Sequence, residues 1–290
     1  MTAFRGLAAG IWLQILAIAL GGWLLTLAIN HLDREQAEKL AMQQTEAQIR
    51  AVATRLERNL KQLLQINYDF AASLPAGQEL DDALLRQIAQ RLIDEQRHVI
   101  NLTLSRQLEV VFVHPMAGNE AVLGMNYSTR PYIMTGVEKA LALRDTVLTG
   151  PVNLVQSGRL GLVARTPVYL PAPPGETAAL RGLVSSAIDL DGVLADAGLN
   201  SGQGSFSFAI RGRDGSGAQG DTFLGDPALF RQAHVAVDVN LPGGQWRLAA
   251  APATSPTVDG WRQWLTRGVI ALLALALILR LLAQARGEQG

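Results

Sequence analysis

Cysteine is absent from all 290 residues. That absence excludes disulfides, thiolate metal sites and a cysteine nucleophile together. It also fits a domain exported from a bacterial cell, where disulfide-poor folds are common. Lysine is scarce, occurring only at Lys39, Lys61 and Lys139; arginine supplies the rest of the positive charge. The net charge is zero, so nothing in the charge balance invites nucleic acid as a partner. The four histidines (His31, His98, His114, His234) are scattered without ligand spacing, so neither a metal site nor a cofactor is expected. Proline and glycine are missing from Leu32 to Leu74, which leaves nothing to break a helix there.

What is present begins with two long apolar segments. One runs from Leu7 to Ile29, interrupted by Gln14 and Thr26; the other runs from Gly268 to Ala283, interrupted by Arg280. A helix needs about 20 apolar residues to cross a hydrocarbon core of about 30 Å. The expected spans are residues 7–29 and 264–284. Arg5 before the first span, and Arg280 and Arg286 at the end of the second, favour both termini inside. Trp261 and Trp264 read as an interfacial belt, and Arg267 beside them can snorkel outward. The expected location is the bacterial inner membrane, with residues 1–6 and 285–290 cytoplasmic and 30–262 periplasmic. A cleaved signal peptide is the alternative for the first segment, since Thr26-Leu27-Ala28 mimics a cleavage region.

Between the spans, Ile49, Ala53, Leu56, Leu60, Leu63 and Phe70 recur at three–four spacing. With the missing breakers this predicts one helix of about 40 residues, about 60 Å long, a stalk over 30–75. Its polar stretch from Arg34 to Arg50 suits a second copy alongside, hence a parallel homodimer. A second helix is expected over Asp81–Gln96, and a third over Pro131–Leu143. Strands are expected at His98–Leu104, Leu108–Val113, Val122–Tyr127, Thr146–Leu148, Leu160–Val168, Gly182–Ile188, Ser205–Ile210, Val235–Leu241 and Gln245–Ala251. Arg213-Asp214-Gly215-Ser216-Gly217 reads as a hairpin-type turn, and Gly202-Gln203-Gly204 as another turn. Helices and antiparallel-type strands in this mixture define an α+β class.

Ile188-Asp189-Leu190-Asp191-Gly192 looks like the nucleophile loop of haloacid-dehalogenase phosphatases. That chemistry needs a phosphate-binding cation and further carboxylates. No lysine follows Lys139, and no paired acidic motif follows Asp196. The string reads more simply as a strand end followed by a short helix with Asp191 as N-cap. An exported aspartate-type phosphatase is thus an alternative, and the chain is not expected to be an enzyme.

The richest stretch runs from Val113 to Tyr169. It holds His114-Pro115-Met116-Ala117-Gly118-Asn119-Glu120, Val122 to Tyr127, Val147 to Gln156 and Arg165-Thr166-Pro167-Val168-Tyr169. Gly182-Leu183-Val184, Ile188-Asp189-Leu190 and Leu241-Pro242-Gly243-Gly244-Gln245-Trp246 follow in order. From about Leu60 to Pro252 the chain resembles the CHASE family, extracellular sensory domains of histidine kinases and nucleotide cyclases. The resemblance implies a stalk helix and two PAS-like lobes, here 76–175 (membrane-distal, ligand-binding) and 176–260 (membrane-proximal). In the plant cytokinin-receptor branch an aspartate bonds the ligand's base; the matching position here is Asn126, which cannot offer a carboxylate's charge. Cytokinin is therefore not carried over.

The residues themselves suggest pocket walls at Asn126, Tyr127, Arg130, Leu154 and Arg165. Arg165 lies inside the apolar run Leu160–Val168, and a buried arginine needs an anionic partner. Glu120, Glu138 or Asp145 would serve internally; otherwise Asn126, Arg130 and Arg165 contact a small polar or anionic ligand. The expected function is a membrane-bound sensor whose partners are that ligand, the bilayer, a second copy and a cytoplasmic cyclase or kinase, in cis or in trans. Seven residues follow Ala283, so the expectation is either a fragment of a longer receptor or a chain that hands its signal to a partner. A membrane-tethered binding protein without output is the other alternative.

Overall fold

The computed structural model describes residues 2–75, 81–199, 206–231, 235–253 and 260–287. They fall into two compact units, Thr45–Ala253 and a terminal one combining Met1–Gln44 with Thr254–Gly290. The long unbroken sequence after the first apolar segment is helical, as its lack of proline and glycine requires: α1 covers Thr2–Ala72. Within the large unit, Ile49, Leu56, Leu60, Leu64 and Phe70 of α1 are buried in the main core. Their three–four spacing puts them on one stripe, which lies against a sheet.

α2 (Asp82–Asp94) begins where Asp81 Oδ1 accepts the Ala83 N–H at 2.9 Å. Strands β1 (Val99–Arg106) and β2 (Glu109–His114) follow as a hairpin, then α3 (Pro131–Leu143), β3 (Val147–Asn153), β4 (Leu160–Tyr169) and β5 (Leu180–Asp189). These strands form one antiparallel sheet in the order β2-β1-β5-β4-β3. β5 therefore lies between β1 and β4, so this sheet extends past residue 176, where the sequence places the start of a second lobe. β5 has continuous neighbours on both sides and is almost wholly buried, as a central strand must be.

The strand expected at Val122–Tyr127 is not there. Two short 3-10 turns, Glu120–Val122 and Tyr127–Thr129, take its place. Gly124 between them has φ +77°, which breaks an extended run. The segment still docks on the edge of β2, with Val110 N–H donating to Met125 O and Gly124 N–H to Val110 O.

After α4 (Leu190–Ala197) come β6 (Phe206–Arg211), β7 (Thr222–Gly225), β8 (Val235–Leu241) and β9 (Gly244–Pro252), a second antiparallel sheet in the order β7-β6-β9-β8. α4 is entered through Asp189, not Asp191; Asp189 has the extended cap conformation and makes no side-chain cap bond. Trp246 on β9 is fully buried, edge-on to Phe223 at 5.2 Å between ring centroids. β7 has only four residues, too few to reveal alternation in sequence. Gly202–Gly204 and His234 lie outside the described residues.

In the terminal unit, Leu13, Leu16, Leu20 and Trp23 of α1 are exposed, as are Leu265, Leu272, Leu273 and Leu277 of α5 (Gly260–Gly287). Among the described residues α1 is the one helix long and apolar enough to cross a membrane.

The β1–β5 pairing leaves no room at Gly182, where a Cβ would stand 1.8 Å from the Ser105 carbonyl oxygen. Gly182→Ala should therefore cost about 2–3 kcal/mol by overpacking, read as a lower urea midpoint in the detergent-solubilised chain. An unchanged midpoint would mean the two strands do not pair as described.

Candidate ligand-binding site

Strand alternation gives the first sheet two chemically different faces. Leu102 and Leu104 of β1, Leu162 and Ala164 of β4, and Val184 and Ile188 of β5 face α1 and belong to the main core. The residues between them point the other way. There Asn101 and Thr103 of β1, Thr149 of β3, Val163 and Arg165 of β4, and Ser185 of β5 line a cavity. Its other walls are apolar: Val122, Met125 and Tyr127 from the turns after β2, Ile133 from α3, and Leu154 from the loop after β3. The space between these walls is about 640 Å³ when the open solvent at its mouth is counted.

Most of the polar floor is already satisfied. Asn101 Nδ2 donates to Asn119 Oδ1 at 2.6 Å, and Thr103 Oγ1 donates to Ser185 O at 3.2 Å. Arg165 is an exception. It is 5% exposed, and its Nη1 donates to Thr149 Oγ1 at 2.6 Å. Its guanidinium lies 5.9 Å from the Tyr127 ring centroid. Its Nε has no hydrogen-bond partner. Among the described residues no carboxylate pairs with it within 4.0 Å. Two of the three internal partners considered from sequence are engaged elsewhere: Glu120 accepts from Gly118 N–H, and Asp145 from Tyr68 Oη and Thr146 N–H; Glu138 makes no ion pair with Arg165. Burial pushes the Arg165 pKa down from its usual value, against the pull of Tyr127, Asp214 and Tyr132. Gln156 Nε2 and Ser186 Oγ, whose residues also line the cavity, are likewise buried without a partner.

Three of the five residues expected at the site, Tyr127, Leu154 and Arg165, line the cavity. Asn126 and Arg130 do not. Asn126 Oδ1 is occupied as the cap of the following turn, accepting from Ser128 N–H at 3.0 Å and from Ser128 Oγ at 2.7 Å. Arg130 Nη1 donates to Tyr132 Oη at 3.3 Å, so it touches the site only through Tyr132, which does line it. Sequence reasoning missed Asp214. It comes from the turn between β6 and β7, far along the chain, and lines the cavity. An acidic residue in a glycine-rich turn carries no signal of such a role.

The aspartate string after β5 forms a separate cluster. Arg159 Nη2 lies 3.5 Å from both Asp189 Oδ1 and Asp191 Oδ2, and His98 Nε2 lies 2.6 Å from Asp196 Oδ2. The two carboxylates that a phosphatase would direct at metal and phosphate share one arginine here.

Gly136 of α3 brings the helix close to the floor: a Cβ there would meet Thr149 Cγ2 at 2.6 Å and Arg165 Nη1 at 3.3 Å. Alanine in a helix interior ordinarily gains about 1 kcal/mol over glycine. Here crowding should outweigh that gain, so Gly136→Ala is expected to lower the melting temperature. A rise would show that α3 does not press on Arg165.

The CHASE domain model matches residues 34–224, about two-thirds of the chain. No curated protein matches it significantly. Several solved structures are similar. An extracellular ligand binding receptor from Desulfohalobium retbaense is 18% identical with a TM-score of 0.53, over 71% of this chain and 40% of that one, so this chain spans less than half of that receptor's length. The ligand-binding domain of the Pseudomonas fluorescens chemoreceptor CtaA, in complex with L-serine, is 13% identical with a TM-score of 0.51, over 76% of this chain and 98% of that one. The ligand-binding domain of the Pseudomonas aeruginosa amino acid chemoreceptor PctC, in complex with GABA, is 16% identical with a TM-score of 0.50, over 69% and 94%. At these identities the likeness is one of fold, a long helix carrying sheet domains. The match to the family model takes in the later part of α1, the whole first sheet and every wall of the cavity, and the chain belongs to the CHASE-domain family.

Proposed function

We propose that this chain is the sensory and membrane-anchoring part of a receptor, and that its cavity binds a small molecule carrying a carboxylate. The observation that carries this reading is Arg165: a buried guanidinium on a cavity wall, with an unpartnered Nε and no carboxylate beside it. Leaving a buried charge uncompensated is costly, and a ligand anion would supply the missing partner through a charge-assisted hydrogen bond. Tyr127 and Leu154 would pack against the rest of the ligand. The similar chemoreceptor domains are solved with L-serine and GABA, both carboxylates.

In this reading residues 7–29 and 264–284 are two membrane spans, both termini are cytoplasmic, and residues 30–262 lie outside the inner membrane. The two sheets correspond to two PAS-like lobes, the first of them holding the ligand. Binding shifts the balance between two arrangements by the ligand's differential affinity for them. The second span carries the shift inward, within a parallel homodimer, to a cyclase or kinase effector. The exposed leucines of α1 and α5 support the two spans.

The test is thermal melting of the detergent-solubilised chain with amino acids and simple carboxylates as probes. A ligand of the native state raises the midpoint, by about 2.7 kcal/mol of stability at a hundredfold excess over Kd. Arg165→Leu should abolish the rise while leaving the unliganded protein within about 1 kcal/mol of wild type, since it removes an unpaired buried charge. A variant that keeps the rise would overturn the proposal, and so would one that fails to fold.

A further inference from the structure

Asp214 lines the same cavity as Arg165 and is carried by a turn of the other sheet. Its turn connects β6 to β7, yet it is held against β3: Asp214 Oδ1 accepts the Gly150 N–H at 2.7 Å, and the Arg213 guanidinium donates to the Pro151 carbonyl. From α3, Lys139 Nζ reaches the Asp214 carbonyl oxygen at 3.5 Å. On its own side the turn is tied to β9 by the Ser216–Gln245 bridge. Gly212 and Gly215 pack so closely against the β8–β9 turn that a Cβ on either would approach backbone atoms there at about 3.0 Å.

The carboxylate itself is half committed. Among the described residues Oδ2 accepts no hydrogen bond, and the residue is exposed. Asp214 is too far from Arg165 to pair with it, yet near enough that its charge acts on the guanidinium. The cavity lining thus includes a buried cation, Arg165, and an exposed anion, Asp214, with Tyr127, Ile133 and Leu154 as apolar walls. A ligand with only a carboxylate would neutralise Arg165 and leave Asp214 facing a second negative charge.

We propose that Asp214 is a ligand-contacting residue, that the site takes a zwitterion whose carboxylate meets Arg165 and whose ammonium group meets Asp214, and that such a ligand joins the first sheet to the second. This rests on the proposed function above and deepens it. A ligand held at both ends tightens the β6–β7 turn against β3, whereas a carboxylate alone does not. The sheet that leads into β9 thereby responds to the ammonium group and not merely to occupancy of the cavity.

The experiment uses the full chain in detergent and matched probe sets: GABA, butyrate and butylamine, then L-alanine, propionate and ethylamine. Affinity is read by calorimetry and melting shift; backbone hydrogen exchange is followed over residues 212–217. In the wild type at least one zwitterion should bind tenfold or more tightly than its matched carboxylate and should slow exchange in the turn. Asp214→Asn keeps an acceptor for Gly150 and tolerates the left-handed backbone (φ 57°) of that position, so it should fold. It should erase the tenfold preference while leaving carboxylate binding in place; Asp214→Glu should keep part of the preference. If carboxylates bind equally with and without the amine, or if Asp214→Asn changes nothing, this inference fails and the role of Arg165 stands. If no carboxylate-bearing probe binds the wild type, the proposed function fails as well.

Discussion

One buried positive charge organises the polar face of the first sheet. Arg165 lies on a central stretch of the five-stranded sheet, hidden from solvent, held by a single hydrogen bond to Thr149 and a ring face. The fold surrounds it with residues that do not compensate it. Nearby polar groups bond to one another: Asn101 to Asn119, Thr103 to the backbone of Ser185. Gly136 lets α3 come close without displacing the guanidinium. Leaving a buried charged donor open is costly for stability alone.

The sheet can hold such a site because its two faces are separated by strand alternation. The α1 face carries leucine, isoleucine, valine and alanine, and provides the core that stabilises the lobe. The opposite face is then free to carry threonine, serine, asparagine and arginine. The second sheet has its own anchor in Trp246 and Phe223. It meets the first through short turns: Leu148 N–H donates to Pro242 O at 3.0 Å, and Gly150 N–H to Asp214.

Much of the fold is legible in the sequence. The long helix follows from missing proline and glycine plus three–four spacing, and α2, α3 and most strands follow from period and bounding turns. The strand expected at 122–127 fails because an apolar run of that length does not reveal that Gly124 takes a left-handed conformation. β7 is missed because four residues show no period. The site is legible only in part. Arg165 stands out because a charge inside an apolar run is a physical conflict visible in one dimension. Asn126 and Arg130 fall outside the cavity lining because sequence neighbours of a lining residue need not share its direction: Asn126 is spent capping its own turn. Asp214 is invisible because its position depends on tertiary docking of a turn from another sheet, which no local pattern encodes.

The most direct test of the account is a ligand-bound structure of the cavity. The account predicts a ligand carboxylate oxygen at about 2.7–2.9 Å from a nitrogen of Arg165, with Nε no longer without a partner. A ligand whose anionic group lies elsewhere, with Arg165 turned to a protein carboxylate, would contradict it.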